Sequence, residues 1–468
     1  MERDTIEGGI RVTDMGNLET SIVPRMRNIA RLIEKAQASY YSRKRSLKPD
    51  ESFLIVARHY NSESPIVPGL REWVRPNNVQ DSNARFEGGG YFLAHRGVGI
   101  AVDPGYDFIS IIDAQGLTVK DIDYVIVTHD HVDHHADLPN ILALRRDEPR
   151  MIFASDKVKQ FTGITSSRIQ CLGNTRGKCN SFAITDDENN RAADLQAVPA
   201  LHWQRPEQDA KINGYIKQIN DCYGIVVTLV PDEYAPFGEL AIRRILISSD
   251  TLYPLKDGSG EFTRKSLDQY LDGNSAKRLG LNSWAGKRDR VKKKVRKAFD
   301  RFLNCYHNME NVDLACLHIG SIEPQHVWYG DKWKEGVYDG HHLGFLGCMR
   351  LLEDLLRGKS KEIKLAVITE FGEELIGHRK NICRDLANAL EERNGDVRKI
   401  PILPSDVSLR IDLKKGSIKC DGCGEYHPIE NIRAEEKGEF IRYVARHLAE
   451  PYDGTCQMDP ENGPSGDP

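Results

Sequence analysis

The run Tyr124-Val-Ile-Val-Thr-His-Asp-His-Val-Asp-His-His-Ala-Asp-Leu-Pro139 constrains this chain more than any other stretch. Its first four residues, a tyrosine and three β-branched aliphatics, form a short apolar run, the mark of a buried strand. His129, His131, Asp133 and His134 follow at once. Four ligand-type side chains packed so tightly behind a strand converge only if the chain leaves the sheet in a loop that turns them toward one point. Imidazoles and a carboxylate together suit zinc, iron or manganese. A solvated polar loop needs no such density of histidine.

The cluster resembles the first metal motif of the metallo-β-lactamase superfamily, whose members are αββα sandwiches with ligands gathered from successive loops at one sheet edge. Gly88-Gly-Gly-Tyr-Phe-Leu and Gly97-Val-Gly-Ile-Ala-Val-Asp103-Pro-Gly resemble the superfamily's early hairpin and its Asp-bearing turn. That resemblance implies that Asp103 braces the metal loop rather than binding metal, although an Asp-Pro-Gly turn taken alone explains the same residues. Ala193-Asp-Leu-Gln-Ala-Val-Pro-Ala-Leu-His202 is similar to the segment that supplies a third imidazole to the first metal. Arg244-Ile-Leu-Ile-Ser-Ser-Asp250-Thr resembles the strand whose terminal carboxylate bridges two metals.

Three later segments follow the order of the superfamily's phosphodiesterase branch, best known from tRNA 3′-end processing endonucleases. They are Leu314-Ala-Cys-Leu-His318-Ile-Gly-Ser-Ile-Glu323, Gly340-His-His342-Leu-Gly-Phe-Leu-Gly, and Leu365-Ala-Val-Ile-Thr-Glu370-Phe-Gly-Glu-Glu. In that branch the second segment carries a histidine that acts on the scissile phosphate, and the third carries the last imidazole ligand. Here Glu370 stands where that imidazole is expected. Either Glu370 is a carboxylate ligand in its place, the reading preferred, or His342 is itself the last ligand. The resemblance thus implies His129, His131, Asp133, His134, His202, Asp250 and Glu370 as metal ligands. It also implies Asp133 and His342 as catalytic residues, and His318 as a substrate contact or, with Glu323, an orienter of His342.

Two metals about 3.5–4 Å apart can activate a water between them and clamp the oxygen of the attacked group. The leaving group then needs a proton, which an imidazole titrating near neutrality can give. His342 is assigned that part, with His341 and His135 as neighbouring alternatives. The implied cofactors are two divalent ions, zinc first and manganese second. The implied substrate is a phosphodiester, either nucleic acid or cyclic nucleotide. A lactone or thioester hydrolase is the alternative enzyme, and a metal-bound interaction module without catalysis is the alternative outside enzymes.

Composition bounds the rest. With 468 residues and 40% hydrophobic content the chain can build one large α/β domain with additions. A net charge of −4 gives no global affinity for polyanions, so contact with nucleic acid has to be local. The first residues hold no apolar signal core, and no later run approaches the ~18 apolar residues of a membrane span. A cytoplasmic homo-oligomer without membrane contact is expected. Ten cysteines scattered through the chain fit reduced thiols.

The expected organisation is an N-terminal helical cap over 1–50, with a helix over Val23–Lys48, and then a metallo-β-lactamase-type domain over 51–380 whose first strand begins near Ser52. An insertion occupies about 255–310. A C-terminal extension follows over 381–450, and the Pro-, Gly- and Asp-rich residues 451–468 form a disordered tail. Within the insertion, Lys287–Arg301 holds nine Lys or Arg against two Asp, with Val291, Val295, Ala298, Phe299 and Phe302 at helical spacing. That pattern predicts an amphipathic helix, its basic face either merely solvated or guiding a phosphate-rich substrate. Cys420-Asp-Gly-Cys423 resembles one knuckle of a zinc ribbon, for which His427, His447 and Cys456 are the nearby partners.

Overall fold

The computed structural model describes residues 4–5, 10–11, 23–58, 88–145, 149–161, 168–173, 179–202, 221–231, 238, 241–254, 285–321, 326–329, 332–335, 343–357, 363–372, 375, 379–394, 400–405, 409–419 and 426–429. The chain divides into two compact units, Met1–Ser46 and Leu47–Pro468. The first holds a short antiparallel pair, β1 (Asp4–Thr5) and β2 (Ile10–Arg11), and helix α1 (Val23–Ser42). The helix ends before the expected Lys48, and Met26, Ile29 and Leu32 along it are exposed.

The second unit is built on two sheets. The first has nine strands in the order β21-β20-β19-β3-β4-β5-β6-β7-β8. Its members are β3 (Ser52–Arg58), β4 (Gly88–His95), β5 (Val98–Val102), β6 (Tyr124–Val127), β7 (Met151–Ala154), β8 (Ile169–Cys171), β19 (Leu409–Asp412), β20 (Ser417–Lys419) and β21 (Tyr426–Pro428). The second has eight, ordered β18-β17-β13-β12-β11-β10-β9 with β16 paired beside β13. These are β9 (Ser181–Thr185), β10 (Arg191–Pro199), β11 (Tyr223–Leu229), β12 (Arg244–Ile247), β13 (Leu314–Ser321), β16 (Leu343–Gly344), β17 (Leu365–Phe371) and β18 (Ile402–Pro404). A separate hairpin joins β14 (His326–Tyr329) to β15 (Lys332–Glu335).

Each sheet is antiparallel on one side and parallel on the other. Strands β5 to β8 run parallel in the first sheet, and β12, β13, β17 and β18 in the second. Parallel strands are covered on both faces, which explains why β6 and β17 read as almost unbroken buried runs. Leu54, Tyr91 and Ile126 of the first sheet meet Leu195, Ile225 and Val367 of the second in a core between the sheets. A second core lies on the far side of the second sheet. There Ala315, Leu317 and Ile368 pack with Phe299 of α5 (Ala285–His307), Leu351 of α6 (Phe345–Arg357) and Leu386 of α7 (Arg379–Asn394). Helix α2 (Phe108–Ala114) packs on β4. The layers are therefore helix, sheet, sheet, helix, the αββα arrangement of the metallo-β-lactamase sandwich.

The expected basic helix is α5. Val295, Ala298, Phe299 and Phe302 are buried, and Lys293, Arg296 and Lys297 are exposed, so burial follows the 3.6-residue period. Strands β18 to β21 lie beyond the expected boundary at 380, yet they are hydrogen-bonded into the two sheets.

Candidate metal centre

The candidate ligands lie where strands from both sheets end, the position at which open α/β sheets present their loops. Strand β6 ends at Val127, and Thr128 then ties the loop down through Asp103, the residue following β5. The Thr128 backbone N–H donates to Asp103 Oδ1 at 2.8 Å, and the Thr128 hydroxyl donates to Asp103 Oδ2, also at 2.8 Å. Asp103 holds this place with a left-handed backbone, φ 48°. Gly90 makes the turn possible, because a Cβ there would sit 2.0 Å from the Asp103 carbonyl oxygen. Past the loop, Pro139 in the first turn of α3 (Leu138–Leu144) starts a helix and closes off the cluster.

Asp103 also sets the tautomer of His134. Its Oδ2 accepts from His134 Nδ1 at 3.0 Å, so the lone pair is left on Nε2. That Nε2 lies 3.2 Å from Asp250 Oδ2 and 3.6 Å from Asp133 Oδ2. His129 Nε2 faces the same Asp250 oxygen at 3.3 Å and makes no hydrogen bond among the described residues. His202 Nε2 is 3.1 Å from His131 Nδ1 and 3.8 Å from Asp250 Oδ2. The loops bearing His202 and Asp250 are stitched together: the Leu201 N–H donates to Thr251 Oγ1, and the Leu252 N–H to the Leu201 carbonyl. Ser249, with φ 56°, makes the turn that aims Asp250 inward.

The ligand atoms of His129, His131, His202 and Asp250 lie within 4.8 Å of one another. So do those of Asp133, His134 and Glu370, and those of Asp250, His318 and Glu370. Bare nitrogens and carboxylate oxygens facing each other in a buried space repel unless a cation sits among them, so the donor set fits divalent metal. Burial, reinforced by the neighbouring His134, holds the His129 imidazole well below its ordinary pKa. Burial also lowers His131. Both are therefore neutral near pH 7, the form that binds metal. Burial works in the same direction on His318, but Glu370 and Asp250 outweigh it and raise that pKa.

All seven expected ligands come together. Asp103 lies behind His134 as a brace. His318 is fully buried, its Nδ1 2.8 Å from Asp250 Oδ1 and 2.9 Å from Glu370 Oε2, so the structure places it against two of the expected ligands. His135 Nε2 is bonded to the Asp130 carbonyl. Glu323, His341, His342, Cys420 and Cys423 lie outside the described residues. Sequence reasoning passed over Tyr91, whose hydroxyl crosses between the sheets to His318 Nε2 at 2.8 Å and also bonds Thr369 Oγ1. The only hint was a tyrosine on the inward face of a glycine-rich strand.

Residues 99–232, which span β5 through His202 to β11, match the family model described as a beta-lactamase superfamily domain. Over these residues the chain carries a beta-lactamase superfamily domain. Among solved structures, the chain is similar to the metallo-β-lactamase fold protein YhfI from Bacillus subtilis, at 13% identity over 77% of this chain and 99% of that one, TM-score 0.41. It is similar to the short form of human tRNase Z at 13% identity over 77% of this chain and 99% of that one, TM-score 0.37. Zn(2+)-bound PqqB from Methylobacterium extorquens shares 13% identity over 77% of this chain and 100% of that one, TM-score 0.42. No curated protein matches the chain. Among the described residues no helix is long and apolar enough to cross a membrane.

Proposed function

We propose that this metallo-β-lactamase superfamily chain is a two-metal hydrolase acting on phosphodiesters. The observation that carries the reading is a pair of neighbouring donor sets, one containing Asp250 and the other Asp133, His134 and Glu370, with Asp250 Oδ2 3.3 Å from His129 Nε2 and 3.2 Å from His134 Nε2. His129, His131 and His202 would hold one ion and Asp133, His134 and Glu370 the other. Divalent ions bound there supply a Lewis acid and a water-derived nucleophile at neutral pH.

The chain's own residues do the rest. Asp103 keeps the His134 Nε2 lone pair facing the centre. Asp250 presents one oxygen to His129, His134 and His202 together, which holds the two halves at a fixed spacing. The carboxylates of Asp133 and Glu370 make the second half rich in oxygen donors, a composition that suits hard cations and the handling of phosphoryl oxygen. That composition supports a phosphodiester over the alternative lactone or thioester. His342 remains the residue chosen from sequence to protonate the leaving oxygen.

The test is hydrolysis of bis(p-nitrophenyl) phosphate and short oligonucleotides, set beside a lactone and a thioester, after reconstitution with zinc or manganese. Phosphodiester turnover that disappears in Asp133→Ala and falls by about 10²–10⁴ in His342→Ala is expected. Activity confined to the lactone or thioester refutes the reading.

A further inference from the structure

Strand β17 supplies a carboxylate where an imidazole would serve, and the neighbouring strand holds an imidazole beside it. Strands β13 and β17 run parallel, and His318 pairs with Glu370 across a register shift that follows Leu317. Leu317 pairs with Ile368, so Thr369 is the extra residue of a bulge. The bulge brings Glu370 onto the same face as His318, the face toward the other sheet. We propose that His318 is itself a metal ligand, its Nδ1 binding the ion that Glu370 binds. This rests on the two-metal reading above.

Two independent features carry it. The first is distance. Donor atoms about 2.1 Å from one ion and at right angles about it are separated by about 3 Å; His318 Nδ1 lies 2.8 Å from Asp250 Oδ1 and 2.9 Å from Glu370 Oε2. The second is the direction of the hydrogen bonds behind the ring. The Leu317 carbonyl only accepts, so Thr369 Oγ1, 3.4 Å away, donates to it. Thr369 then accepts from the Tyr91 hydroxyl, whose oxygen accepts from His318 Nε2–H. That chain keeps a proton on Nε2 and aims Nδ1 at the two carboxylates. A proton on Nδ1 and a metal on Glu370 would compete for the same carboxylate oxygens, and an ion in that place satisfies all three groups at once.

The experiment uses the full chain loaded with cobalt(II). A histidine N–H on a cobalt-bound ring gives a hyperfine-shifted, solvent-exchangeable proton resonance, here the Nε2–H of His318. The expected result is that one such resonance is lost in His318→Gln while the affinity for the second equivalent of cobalt falls at least about tenfold. Tyr91→Phe keeps every proposed ligand and removes only the acceptor of that proton, so it should shift the same resonance, or speed its exchange, even if His318→Gln fails to fold. Retention of the full set of shifted resonances and of wild-type cobalt affinity in His318→Gln overturns the assignment of His318 and leaves the two-metal reading standing. An unmoved spectrum in Tyr91→Phe overturns it likewise. A wild-type chain that takes up no cobalt, zinc or manganese overturns both.

Discussion

Replacing Asp103 by asparagine should damage one half of the metal centre more than the other. Asparagine tolerates the left-handed backbone at this position better than most residues, so the turn survives and the effect is chemical. Its carbonyl oxygen can still accept from the Thr128 N–H. Its amide, however, places N–H donors where Oδ2 accepted from the Thr128 hydroxyl at 2.8 Å and from His134 Nδ1 at 3.0 Å. Thr128 can adapt by rotating its proton toward Ser249 Oγ at 2.7 Å. His134 adapts only by moving its proton to Nε2, where it points at Asp250 Oδ2, 3.2 Å away, and blocks the lone pair that faces the centre. Loss of one charge-assisted bond costs the metal-free protein about 1.5–3 kcal/mol. Loss of the orienting carboxylate weakens metal binding by about 10–100-fold, or about 1.4–2.7 kcal/mol. Calorimetric titration of zinc into the metal-stripped parent and Asp103→Asn proteins, with urea unfolding of both, measures the two terms separately. Weakening should be concentrated in one of the two equivalents, because the Asp103 carboxylate bonds the His134 ring directly, whereas His129 is linked to it through the adaptable Thr128 hydroxyl. Wild-type affinity for both equivalents would refute the tautomer argument.

Three further outcomes are expected. Glu370→Ala should lose one metal and most activity, whereas Glu370→His keeps two and shifts preference from manganese toward zinc; metal titration of the three proteins side by side decides this. Asp221 is raised to about 6 by burial, although it accepts from the backbone N–H groups of Asp156 and Lys157. Its native form therefore keeps a proton that the unfolded chain has released between pH 3.8 and about 6, so metal-free stability should fall across that window as pH rises, by up to about 3 kcal/mol, and the slope should flatten in Asp221→Asn. Phe299→Ala, at a fully buried position of α5, should cost about 3–5 kcal/mol in urea unfolding, while Lys293→Ala on the exposed face changes stability by less than about 0.5 kcal/mol.

The sandwich and the first half of the centre are legible because they rest on local patterns. An apolar strand followed by His129, His131, Asp133 and His134 needs only the chain's own neighbours to be understood. The amphipathic period of α5 likewise predicts its buried and exposed sides. What stays hidden depends on contacts between distant segments. The residues around Asp103 alone read as an Asp-Pro-Gly turn; its bracing of the metal loop comes from the resemblance, and which histidine its carboxylate serves follows only from β5 and β6 lying parallel side by side. Strands β18 to β21 are short, and their place at opposite ends of two sheets is set by long-range pairing.

Strand β17 shows the limit most sharply. Strict alternation puts Leu365 and Val367 toward the other sheet and Ala366 and Ile368 toward the helices, as the two cores confirm. Continued without interruption, the same alternation sends Glu370 into the apolar layer beneath α6 and α7. An ionised carboxylate there would be desolvated with no partner, at a cost of several kcal/mol. The bulge at Thr369 removes the conflict: Thr369 turns to Tyr91, Glu370 turns to His318, and Phe371 resumes the helix-facing row. No glycine marks the irregularity. Its one trace in the sequence is a glutamate at the end of an otherwise apolar strand, and that residue is placed by a tyrosine from the opposite sheet and a histidine from the next strand.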